Sequence, residues 1–99
     1  MACFAVLFED VIEGAQEIRA CHMPAHLDFL ERHAATIHSA GPLLQQDGTG
    51  KGGLWLVEAQ SLPVVESLVR EDPFWSAGLR KSIEIGLWRR VFHEGKRLI

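Results

Sequence analysis

The strand candidates of this chain are apolar on both faces, and that limits what can cover them. In Cys3 to Phe8, the side chains of Phe4, Val6 and Phe8 point one way and those of Cys3, Ala5 and Leu7 the other. In Leu54 to Ala59, Leu54 and Leu56 oppose Trp55, Val57 and Ala59. In the last candidate, Ser82 to Phe92, Ile83, Ile85, Leu87 and Val91 oppose Trp88 and Phe92. An antiparallel sheet with one wet face alternates apolar and polar residues. A sheet built from these strands needs cover on both sides.

Only two helical segments are available to provide it. Glu13 to Ala40 carries Met23, Leu27, Leu30, Ala34 and Ile37 at spacings of four and three, which makes one stripe. Gly41-Pro42 reads as its stop. Pro24, inside this segment, lacks the N–H that would bond the carbonyl of Ala20, so a kink or restart is expected there. Leu43 to Gln46 is a short strand candidate. The stretch 47–53 holds four glycines in seven residues and reads as a flexible connection. Ser61 is a plausible N-cap for a helix from Leu62 to Arg70, and Asp72-Pro73 opens a further helical turn.

The order strand, helix, strand, strand, helix, strand is that of an α+β, ferredoxin-like βαββαβ unit, one domain over residues 1–99. It places both helices on one face of a single antiparallel sheet. The other face, if left open, would be a large exposed apolar patch. The expectation is a homodimer through that open sheet face, two sheets pairing into a dimeric α/β barrel.

Charge and hydropathy remove several function classes. Ten Lys and Arg stand against thirteen Asp and Glu, a net charge of −3, which gives nucleic acid no basic face to meet. Arg89, Arg90, Lys96 and Arg97 read as a solvated strand end and tail. No apolar run reaches the length of a membrane span. The first residues lead into a strand without a basic leader or cleavage site, so a cytoplasmic protein is expected. Cys3 and Cys21 lack Cys-x-x-Cys spacing and read as small hydrophobes rather than a disulfide.

Two short words carry the candidate chemistry: Met23-Pro24-Ala25-His26 and Glu71-Asp72-Pro73-Phe74. If His26 and Asp72 meet in the fold, they form a general acid/base dyad in which the carboxylate orients the imidazole. A structural histidine with both nitrogens satisfied is the rival for His26, and helix capping is the rival for Asp72. Capping and orienting are compatible, because one carboxylate oxygen can do each. Phe74 and Trp75 either wall an aromatic pocket or fill core. Arg19, His22, His26 and His33 fall near one helical face. His22 and His26 at i and i+4 have metal-binding spacing, but Pro24 separates them and no third ligand is local, so no metal is expected. His22, His33 and His38 read as solvent-facing. The glycines have the wrong spacing for a nucleotide loop. The serines sit in no nucleophile elbow, and neither cysteine has an activating cation beside it.

Taken in order, these words resemble the YCII-related (YciI-like) family along nearly the whole chain. They are the apolar first strand ending Glu9-Asp10, Arg19 followed by Pro24-Ala25-His26-Leu27, Ala40-Gly41-Pro42, Gly53 before an apolar strand, Ser61-Leu62, and Glu71-Asp72-Pro73-Phe74 with Ala77-Gly78. The resemblance implies a ferredoxin-like dimeric α/β barrel and a His-Asp pair in a cleft, at His26 and Asp72. It implies small-molecule chemistry, with one branch resembling dehydrochlorinases of chlorinated hydroxyquinols. In that family Arg usually precedes Pro-Ala-His, whereas Met23 stands here. Arg19, one turn earlier, would replace an anion contact only in part, and the glycine-rich loop is shorter than usual.

Together these readings describe a cofactor-independent lyase or isomerase that moves protons on a small cyclic or aromatic compound. Its expected residues are His26 and Asp72 for catalysis, with Arg19, Met23, Phe74 and Trp75 at the substrate. The alternative is a non-catalytic small-molecule-binding or dimerisation module.

Overall fold

The computed structural model describes residues 1–99. In chain order it forms β1 (Ala2–Asp10), α1 (Ala15–Arg32), β2 (Ile37–Leu44), β3 (Gly50–Ala59), α2 (Leu62–Glu71), α3 (Pro73–Ser76) and β4 (Arg80–Leu87). Two short strands follow, β5 (Phe92–His93) and β6 (Lys96–Arg97). The main sheet runs β2-β3-β1-β4 with every neighbouring pair antiparallel. This is the expected ferredoxin-like α+β arrangement.

One sheet face makes the core. Phe4, Val6 and Phe8 of β1 lie beside Trp55, Val57 and Ala59 of β3. Val65, Leu68 and Val69 of α2 pack in the same cluster, and their spacing of three and one turns a single helical face inward. Phe29 is the α1 residue that joins them. Trp55 meets Phe8 edge-on, with ring centroids 5.1 Å apart. The opposite face carries Ala5, Leu7, Leu54 and Leu56, none of them fully buried. On β4 that face is polar: Glu84 pairs with Leu7 and Gly86 with Ala5. The uncovered surface is therefore a narrow apolar strip bordered by acidic side chains.

Three boundaries differ from the sequence reading. The first helix ends at Arg32, not Ala40, and Ile37 belongs to β2, where it pairs with Val57. Ile37 is apolar and fits the helical period, but its β-branched side chain suits a strand, where it is buried. Gly41-Pro42 lies within β2, an edge strand where a missing N–H faces no partner. The second difference is at the glycines. Gly50, Gly52 and Gly53 are strand residues of β3, and the actual turn is 45–49, closed by the Gln45 N–H donating to the Thr49 carbonyl. A Cβ at Gly52 would collide with the Phe8 carbonyl oxygen, so glycine lets β1 and β3 approach there. In the turn, Thr49 donates from its backbone N–H and its hydroxyl to Asp47, which holds that carboxyl below its ordinary range.

Third, the last strand stops at Leu87 rather than Phe92. The chain then folds back as a β5–β6 hairpin through Glu94-Gly95, both at positive φ (51° and 78°), as a type I′ turn requires. Helix α1 runs through Pro24 as one element. His38 is on β2 rather than a helix, with its Nε2 3.4 Å from Glu58. His33 packs on Phe29 with ring centroids 4.7 Å apart and is half-buried rather than solvent-facing.

Candidate active site

The junction between α2 and α3 builds the first half of the site. Asp72 leaves the helical conformation (φ −66°, ψ 131°) and Pro73 starts the next turn with its φ already set. The Phe74 N–H, an orphan donor of that turn, donates to Asp72 Oδ1 at 3.1 Å. The same oxygen lies 2.8 Å from His26 Nδ1. Capping and orienting thus share one oxygen instead of dividing two. Both groups are buried, His26 at 7% exposure and Asp72 at 2%. The imidazole stacks on Phe74, with ring centroids 4.2 Å apart and planes at 24°.

That contact fixes the imidazole. A carboxylate accepts and does not donate, so Nδ1 carries the proton. His26 Nε2 is then the lone-pair nitrogen. It has no protein partner and is not sealed off. The His26 side chain borders a cavity of about 290 Å³.

Asp10 and Arg80 form a second half that sequence reasoning did not single out. They are paired across β1 and β4 after a register shift between Glu9 and Asp10. Ile83 and Ile85 pack toward the core, and strict alternation from them would turn Lys81 inward. The bulge puts Arg80 there instead. Arg80 Nη1 and Arg19 Nη2 each donate to Asp10 at 2.9 Å, one to each carboxylate oxygen. Arg80 Nη2 lies 3.9 Å from Asp72 Oδ2. The Arg80 guanidinium sits 4.0 Å over the Phe8 ring, a cation–π contact with a side chain only 6% exposed. Its Nε is buried without a partner.

The cavity lies between α1 and the β2–β3 side of the sheet. Of the residues that the periodicity assigned to a single stripe, Met23 and Leu27 line it outside the core cluster, and Leu30 both lines it and packs against the core. Trp55 and Phe74 add aromatic walls, and Asp10, Arg19, His26 and Arg80 are its titratable side chains. Trp75 lies outside this lining and is 39% exposed. Gly50 makes room for Arg19: a Cβ there would lie 2.7 Å from the guanidinium. Arg19 is 25% exposed and also borders a polar crevice with Gln16, Gln45 and Lys51, so it stands at the cavity's mouth. It uses one N–H on Asp10 and keeps others for a ligand. No three His, Cys, Asp or Glu side chains converge as metal ligands.

Such an arrangement gathers an imidazole, a partly exposed guanidinium and apolar walls around one cavity. The model of the YCII-related domain matches residues 3–89 of this chain. Among solved structures, 5-chloro-2-hydroxyhydroquinone dehydrochlorinase (TftG) from Burkholderia phenoliruptrix, in complex with 2,5-dihydroxybenzoquinone, is similar with a TM-score of 0.77 and 32% identity, over 88% of this chain and 93% of that one. A NIPSNAP domain protein from Burkholderia xenovorans has a TM-score of 0.50 at 12% identity, over 91% and 94% of the two chains, and shares the fold alone. Autoinducer-2 kinases of Escherichia coli are 28% identical over 98 residues, 96% of this chain. The chain spans 17% of their length.

Proposed function

The chain belongs to the YCII-related domain family, and on that footing we propose that it is a cofactor-independent acid/base enzyme, a lyase or isomerase acting on a small hydroxylated ring. The observation that carries this reading is the setting of His26: Nδ1 lies 2.8 Å from Asp72, Nε2 has no protein partner, and the side chain lines the cavity. His26 is the base, Asp72 keeps its tautomer and stabilises the imidazolium, and Arg19 receives an anionic oxygen. Met23 and Phe74 hold the ring. Trp75, expected at the substrate, has no place in the cavity wall.

Dehydrochlorination of a chlorinated hydroquinone fits these groups. His26 Nε2 takes a proton from a ring hydroxyl as that C–O becomes C=O. The displaced electron pair goes to the neighbouring chlorine-bearing carbon, which takes up a proton. Loss of the opposite hydroxyl's proton then drives out chloride. The sum is a quinone plus HCl, so no outside oxidant is needed. Acid/base help of this kind is typically worth ~10²–10⁴-fold, enough for a ring already rich in electrons.

Chloride release from chlorinated hydroxyhydroquinones, followed with an ion-selective electrode, tests the proposal. Asp72→Asn is expected to lower kcat by roughly 10²–10⁴-fold with the fold intact by circular dichroism. Full activity in that variant would remove Asp72 from the chemistry. A second reading is favoured by the kinase match, in which a chain of this kind occupies a small part of a larger protein. It is a binding module. Saturable quenching of Trp55 fluorescence by such rings, without turnover, would establish it.

The apolar strip on the open sheet face supports a homodimer, and the free thiols of Cys3 and Cys21 agree with a cytoplasmic setting. Leu54→Lys, placed in that strip, is expected to turn a sedimenting dimer into a monomer. A variant that stays dimeric would move the interface elsewhere.

A further inference from the structure

Arg80 is buried in the site without a role in the scheme above. It reaches both carboxylates: Nη1 is 2.9 Å from Asp10 and Nη2 is 3.9 Å from Asp72, whose other oxygen holds His26. Phe8 and Phe74 flank the guanidinium at 4.0 and 5.3 Å, and His26 stacks on the other aromatic neighbour it shares, Phe74. The β4 bulge is what turns it inward. A buried arginine costs more than it returns unless it is tied to charge that needs it. Asp10 needs only part of it, since Arg19 already satisfies one Asp10 oxygen.

We propose that Arg80 is a positioning residue for the base: standing 3.9 Å from Asp72 Oδ2, it shares the negative charge of that carboxylate, so that less of it falls on His26, whose Nδ1 the other oxygen holds. An imidazole against a lone buried carboxylate is drawn toward the protonated form, which has no lone pair to offer. A fixed guanidinium beside the same carboxylate opposes that. The charged and titratable groups around His26 are few enough for this to matter. From the α2–α3 junction there is Asp72; from β4, Arg80; from β1, Asp10; and on α1, Arg19. With His26 neutral, the two arginines balance the two aspartates. Removing Arg80 leaves one negative charge in excess, and protonation of His26 is the nearest way to cancel it.

This inference rests on His26 being the base, but its first readout needs no substrate. The His26 ring is titrated by NMR in the wild type and in two neutral variants, Arg80→Met and Arg80→Gln, with Arg80→Lys as the conservative replacement. Both neutral variants are expected to bind the His26 proton about tenfold more tightly or better, which is an upward move of at least one pH unit in the midpoint. Lysine, a point charge that cannot span two carboxylates, is expected to restore part of the difference. The acid limb of the kcat profile should move with the midpoint while KM changes little. A His26 midpoint that stays within a few tenths of a unit in either folded neutral variant overturns the proposal. If the midpoint moves but no turnover is found with any hydroxylated ring, the positioning role stands and the enzyme reading falls.

Discussion

His26→Ala is expected to reduce kcat by about 10²–10⁴-fold, with a smaller effect on KM. The substitution removes the imidazole from the cavity lining and leaves Arg19 and the apolar walls in place. Substrate would still be held, but nothing would take its proton. The vacated space lies against Phe74 and Asp72, and free imidazole added to the buffer is expected to restore part of the rate in that variant. Asp72 would lose its 2.8 Å partner while buried, so part of any loss reflects stability. His26→Gln separates the two effects, because its amide can donate to Asp72 but is no base. Steady-state kinetics of both variants, beside their melting temperatures, check this. Undiminished turnover in the glutamine variant would sink the acid/base mechanism.

Trp55→Ala is expected to have the largest effect on stability. Trp55 is 1% exposed, touches Phe8 edge-on, and joins the β1–β3 face to Phe29. Truncating a buried tryptophan costs roughly 3–5 kcal/mol. In a domain this small each kcal/mol moves the melting temperature by about 4–8 °C, so the total fall is on the order of tens of degrees. The value should lie toward the lower end, because Trp55 also borders the ligand cavity and the space it leaves opens into that cavity. Calorimetry measures the result directly. A fall of only a few degrees would mean that the core is organised around the α2 contacts instead. The same variant should bind aromatic ligands poorly, having lost a wall.

The parts of this molecule that were legible in its sequence share a property: neighbours in the chain decide them. Asp72-Pro73 reads as a helix start because capping and a preset φ are local effects, and Asp72 does accept from Phe74. The order of strands and helices implies one antiparallel sheet with both helices on one face, and that is what forms. What could not be read depends on partners far along the chain. Asp10 and Arg80 are seventy positions apart and meet because of a bulge, which no alternation of apolar residues announces. The end of α1 was hidden for a different reason. Ala34 and Ile37 continue the helical period by coincidence, and only pairing of Ile37 with Val57 assigns it to β2. Met23, Leu27 and Leu30 form a genuine stripe, but a stripe does not say whether protein or ligand covers it.

Of the eighteen residues of α1, only Ala15, His26 and Phe29 are buried. Met23, Leu27 and Leu30 of the same helix line the cavity, so a molecule in that space would add contacts to it. Occupancy is then linked to stability, and a ligand at a hundred times its Kd adds about 2.7 kcal/mol. The protein can therefore act as its own detector: heat a purified sample against a library of small rings, and a compound that occupies the cavity will delay melting and slow amide exchange along α1.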